Sequence, residues 1–98
     1  METTRGISEG NAVYKVAGGK MIKVRARFAG DVIEDIRISG DFFLHPEEVI
    51  EDVERSLRGV RIHEVEKAVA DALRGVECVG VSPSDFCTAI RMAHEARK

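Results

Sequence analysis

The sequence predicts an α+β two-layer sandwich, a three-stranded antiparallel sheet followed by about three helices packed on one of its faces. Three observations predict it. Apolar residues recur with a period of two up to residue 39 and with helical spacing after residue 46. Short glycine turns, GGK at 18–20 and AGD at 29–31, separate the strand signals, and turns this short join antiparallel neighbours. Glycines close two helical stretches, and a Ser-Pro-Ser-Asp start opens a third.

The elements follow in order. Residues 1–10 are polar and are expected to form a loose N-terminus. NAVYKVA, 11–17, is rich in β-formers. GGK then makes a hairpin turn with glycines at positive φ. MIKVRARFA, 21–29, alternates: Ile22, Val24, Ala26 and Phe28 share one face, Lys23, Arg25 and Arg27 the other. VIEDIRIS, 32–39, puts Ile36 and Ile38 opposite Asp35 and Arg37. Pro46 suits a first helical position, with Glu47 and Glu48 near the positive end of the helix dipole. Val49, Val53 and Leu57 mark that helix's inner face, with Ile50 alongside, and Gly59 ends it. Ile62, Val65, Val69 and Leu73 mark the second helix, which Gly75 stops. Val76 to Val81 reads as a short apolar link. Ser82 caps the third helix, with Pro83 next and Asp85 three residues after the cap; Phe86, Ile90 and Ala93 face inward.

Composition narrows the function. Ninety-eight residues bury one core and leave no room for a second domain holding a large cleft. A chain that opens on its own Met1 is expected to be a complete small protein. Charged residues make up 33%, yet the net charge is −2 and the pI about 5.9. A nucleic-acid module carries a basic surplus, so no nucleic-acid partner is expected. No apolar run reaches membrane-spanning or signal-peptide length. Two cysteines without a CxxC pattern, Cys78 and Cys87, fit the reducing cytoplasm rather than a disulfide scaffold.

Four constellations of residues bear on chemistry. Lys23, Arg25 and Arg27, joined by Lys15 and Arg37, form a basic sheet face, read first as a solvated surface and second as a docking surface for an acidic or phosphate-bearing partner. GGK is not a phosphate-binding loop, because a strand follows it and Met21 stands where Ser or Thr is needed. His45, His63 and His94 with the two cysteines match no zinc spacing. Acidic residues along 47–54 read as a solvated helix face. No catalytic motif emerges, so the residues argue for a binding or accessory protein without an independent active site. Phe42 and Phe43 are its strongest lead: adjacent aromatics seldom both point inward, so one is expected in the core and the other on a partner surface.

YKVAGGKMIKVRARFAGDVIEDIRISGDFFLHPEEVIEDVERSLRG, residues 14–59, resembles the C-terminal accessory domain of lipoate–protein ligase. The shared order is a KxxGGK turn, an alternating strand, a strand ending in GDFF and a proline-started helix; a weaker likeness continues to VSPSDFCTAI. Ala17 departs from the proline expected before GGK. The resemblance implies one accessory domain over residues 1–98, acting as a separate small subunit in a heterodimer with a catalytic subunit. That catalytic subunit would carry lipoate, ATP and Mg, and this chain would bind none of them alone. The pair would make lipoyl-adenylate, and the catalytic chain would pass the lipoyl group to a lysine on lipoyl-domain carrier proteins, which this chain would meet only indirectly. Gly18, Gly19, Lys20, Asp41, Phe42, Phe43 and Pro46 would face the partner or its ligand.

Two alternatives stand beside this reading. One is a protein-binding adaptor using the basic sheet face. The other is an iron–sulfur cluster scaffold, whose fold is similar; known scaffolds use three cysteines with an acidic residue or histidine, and this chain has two cysteines.

Overall fold

The computed structural model describes residues 7–97. Three long strands, β1 (Ile7–Lys15), β2 (Met21–Ala29) and β3 (Val32–Gly40), form an antiparallel meander in the order β1-β2-β3. Two three-residue strands, β4 (Phe43–His45) and β5 (Glu77–Val79), make a separate antiparallel ribbon. The helices are α1 (Val49–Leu57), α2 (Val65–Ala72) and α3 (Pro83–Glu95). Helix α3 packs over β1 and β2, α1 packs over β3, and α2 touches both helices. The mixed α+β architecture is the one the pattern predicts.

The core forms where the two periodicities meet. Ile22, Val24, Ala26 and Phe28 are buried from β2, Ile36 and Ile38 from β3. Val49, Val53 and Leu57 answer them from α1, and Phe86, Ile90 and Ala93 from α3. Each set is the one spaced for its element, because burying a single stripe or face removes the most apolar surface from water. Ile33 is buried as well, three residues before Ile36. A register shift at Arg27/Phe28, opposite Ile33 and Asp35, places an extra residue, Glu34, in β3 and lets both isoleucines face inward.

Several boundaries differ from the sequence reading, each for a tertiary reason. Strand β1 begins at Ile7, not residue 11, because Ile7 to Gly10 pair with Ala29 to Ala26. The rest of the expected loose N-terminus, residues 1–6, lies outside the described residues. Pro46 is not the first residue of α1. His45 is held in β4 by its pairing with Glu77, so the chain needs a turn before it can take the helix direction. The turn runs through Val49 N–H to Pro46 O (3.2 Å) and Glu51 N–H to Glu48 O (3.1 Å). Ile62–Glu64 is a separate 3-10 turn ahead of α2. The apolar link at 76–81 contains β5.

The open edge of β3 is covered by the segment between α1 and α2. Ile33 N–H donates to Val60 O (2.9 Å), Gly59 N–H to Ile33 O (2.7 Å) and Ile62 N–H to Asp31 O (2.7 Å). Glu54 extends this cover: its carboxylate accepts Ile38 N–H at 2.8 Å in a partly buried position. That corrects the reading of residues 47–54 as wholly solvated. At the far end, His94 Nε2 and Arg97 Nη1 approach Gly30 O at 3.3 and 2.9 Å, tying the β2–β3 turn to the end of α3.

Candidate functional site

Three segments distant in sequence converge at one end of the molecule. The first is the turn between β1 and β2. Val16 N–H donates to Lys20 O (2.7 Å) and Gly19 N–H to Val16 O (3.0 Å), closing the loop. Gly18 and Gly19 take φ of 100° and 99°, a region that side-chain-bearing residues seldom occupy. Both are exposed at the tip, with nothing within 4 Å of an added Cβ.

The second segment is Gly40 to His45. Asp41 Oδ1 accepts Met21 N–H at 2.7 Å while Asp41 N–H donates to Met21 O at 3.3 Å. Asp41 therefore clamps the start of β2 to the end of β3, and its role in this fold is to hold the two segments together. Phe42 is half-buried and meets Phe86 edge-to-face, with centroids 5.0 Å apart and ring planes at 90°. Phe43 points outward and is 53% exposed. One ring thus anchors the loop on α3 and its neighbour lies at the surface. Pro46 is exposed at the other end of β4, past His45.

The third segment, Glu77–Gly80, lies in the stretch whose sequence suggests only an apolar link. Val79 pairs with Phe43 across the ribbon and is 39% exposed, so two apolar side chains stand side by side in solvent. A signal was present: VECV is a short run rich in β-formers bounded by Gly75 and Gly80, which is strand punctuation. Lys20 completes the cluster. Its stem lies so close over Gly80 that a Cβ there would sit 2.6 Å from Lys20 Cγ. Its ammonium lies 5.8 Å from the Phe43 ring centroid.

The surface is an apolar pair, Phe43 and Val79, with one positive charge beside it and His45 and Glu77 paired at the far end of the ribbon. It holds no nucleophile paired with a base. The nearest thiol, Cys78, faces the core side of β5, and burial pushes it above the ordinary thiol value, away from the reactive thiolate. Cys87 is buried on α3 and is raised for the same first reason. Among the described residues, no group of three or more His, Cys, Asp or Glu is placed to hold a metal ion. Such a surface can bind a macromolecule, and it can place a cation at the edge of that contact.

Comparison with known proteins agrees in three ways. Residues 14–90 match the family model described as bacterial lipoate protein ligase C-terminus. The chain is 41% identical over 73 residues to lipoate-protein ligase A subunit 2 of Thermoplasma acidophilum, covering 74% of this chain and 78% of that protein. It also superposes, with a TM-score of 0.73 and 37% identity, on a solved chain from an archaeal lipoylation system, a bipartite lipoate protein ligase and its E2 lipoyl domain from Thermoplasma acidophilum; the match covers 87% of this chain and 94% of that one.

Proposed function

The chain belongs to the lipoate protein ligase C-terminus family, and from that premise we propose that it is the accessory subunit of a two-chain lipoate–protein ligase. The observation that carries the reading is the small-subunit relative: 41% identity over most of both chains joins this sequence to a ligase subunit rather than to a whole ligase. In this reading the catalytic subunit holds lipoate, ATP and Mg. Lipoate and ATP give lipoyl-adenylate and pyrophosphate, and a carrier lysine then takes the lipoyl group and releases AMP. The free thiols fit a cytoplasmic reaction, and no helix among the described residues is long and apolar enough to cross a membrane.

The contribution of this chain follows from its surface. Phe43 and Val79 supply the apolar centre of the subunit contact, the kind of exposed pair that loses its water on docking. Phe42 and Asp41 keep that pair in place, one through the core and one through the β2 backbone. Lys20 and the glycine turn border the contact, where they help close the catalytic pocket and exclude water. A positive charge there stabilises the developing charge as pyrophosphate leaves.

The test is to combine this chain with the catalytic subunit, lipoate and Mg-ATP and follow pyrophosphate release. Release only when both chains are present is the expected result. Equal release by the catalytic chain alone would remove the accessory role.

A further inference from the structure

The outer face of the main sheet plays no part in the contact described above, and no described helix packs against it. Its outward positions carry Lys15, Lys23, Arg25, Arg27 and Arg37, against the carboxylates of Glu9, Asp35 and the exposed bulge residue Glu34. The negative charge is confined to one end. Asp35 lies 3.6 Å from Arg27 and 3.4 Å from Arg58, so it is already shared between two guanidinium groups. Glu9 pairs across the strands with Arg27 at the same end.

The middle of the face is different. Arg25 and Arg37 are direct cross-strand partners. Opposed like charges on a sheet destabilise the pairing, and opposite charges or apolar pairs would serve the fold better. Asn11 flanks Arg25 on the other side and is neutral. Val13, beside Lys23, is 54% exposed, the highest value for a large apolar side chain among the described residues. Shallow depressions run along this face, lined by Arg25 and Arg37 together with Asn11, Val13, Lys23 and Ser39. Two neighbouring arginines with an apolar side chain nearby suit clustered carboxylates on another protein, because each guanidinium fork takes a carboxylate in bidentate fashion.

We propose that this basic sheet face, centred on Arg25 and Arg37, docks the carrier protein that accepts the lipoyl group, by pairing with carboxylates on the carrier's surface. The choice of carrier over catalytic subunit rests on the proposed ligase function together with the character of the two surfaces. Permanent subunit contacts are apolar at their centre, as Phe43 and Val79 are. A face of exposed Arg and Lys instead gives fast, salt-sensitive encounters with a partner that must leave after each turnover. The small subunit would then touch the carrier directly rather than only through the catalytic chain. The exposed Val13 within the face and the carboxylates of Glu9 and Asp35 at its Arg27 end favour a protein over a polyphosphate backbone.

The experiment uses the assembled two-chain ligase and an apo lipoyl domain. Arg25→Gln and Arg37→Gln are introduced together, and two readouts are taken: pyrophosphate release without carrier, and lipoyl transfer as carrier is varied. The expected result is unchanged pyrophosphate release, unchanged kcat for transfer and a carrier KM raised on the order of tenfold. Added salt should raise the wild-type KM and leave that of the variant nearly flat. An unchanged, salt-insensitive carrier KM with intact pyrophosphate release overturns the docking proposal and leaves the ligase reading standing. Pyrophosphate release that never depends on this chain sinks the ligase reading instead. In that event, binding of the apo lipoyl domain to this chain alone decides the docking question. Weaker binding to the domain than to a DNA duplex at the same salt overturns the proposal and assigns the face to nucleic acid.

Discussion

Lys20 Nζ lies 5.8 Å from the centroid of the Phe43 ring, which joins the first hairpin to strand β4 on one exposed surface. The two residues are far apart in sequence, and neither position would form a patch alone. Replacing Phe43 by Ala tests the apolar half. The ring is 53% exposed, so its loss should cost this chain little stability on its own. Association with the catalytic subunit should weaken by roughly 1–4 kcal/mol if Phe43 is a central anchor. Calorimetric titration of the two chains reads this directly, and an unchanged dissociation constant with a folded variant takes Phe43 out of the contact.

Lys20→Met tests the charged half. Methionine keeps an unbranched stem over Gly80 and removes the ammonium. The complex should still assemble, while pyrophosphate release falls by about tenfold, less than the loss for a donor in direct contact with the reacting group. Full release by an intact complex would assign Lys20 to turn packing and nothing more.

Much of this surface was legible in the sequence because its signals are local. Adjacent phenylalanines, a double-glycine turn and alternation along β2 are each contained in a few residues. The inward Phe42 and outward Phe43 follow from the same two-fold alternation that fixed Lys23, Arg25 and Arg27 on one face. Long-range pairing is what the sequence hid. Val79 reaches the site only because β5 pairs with β4, and Glu54 leaves solvent only because Ile38 presents an open edge N–H. The family resemblance puts Asp41 on the partner side; what the sequence hides is that its carboxylate accepts the N–H of Met21, 20 residues away. Ile7–Gly10 form strand where the sequence suggests a loose end, because polar and glycine-containing strands are carried by their partners rather than by propensity.

The two thiols give a pH-dependent prediction. Burial raises both above the ordinary thiol value; for Cys87, desolvation outweighs the opposing pull of Arg91, and Glu66 adds to the rise. The folded chain therefore keeps its thiols protonated when the unfolded chain begins to lose them. The associated stability is fully present below the ordinary thiol value and is lost as pH rises through the folded values. At neutral pH, iodoacetamide should label both residues more slowly than free cysteine, with Cys87 the slower because it is buried. Faster labelling than free cysteine at either site would mean an activated thiolate and would reopen a catalytic role.

Gly10 offers the sharpest test of how the helical layer sits on the sheet. A Cβ at this position would lie 1.9 Å from the carbonyl oxygen of Ala93 and 2.9 Å from its carbonyl carbon. Both are backbone atoms of α3, so no side-chain rotation relieves the clash. The helix must move off β1, and the buried contacts of Ala93 and Ile90 move with it. Gly10→Ala should therefore destabilise the chain by about 1–3 kcal/mol, in the range of overpacked cores. For a domain of this size that is a fall in Tm of roughly 4–24 °C. The phenylalanine pair reports on the same movement, because Phe42 leans on Phe86 near the start of α3. A shifted helix should loosen Phe42 and weaken subunit association as a secondary effect, whereas Phe43→Ala weakens association with little change in Tm. Gly10→Ala with an unchanged Tm would show that α3 does not make this close approach to β1.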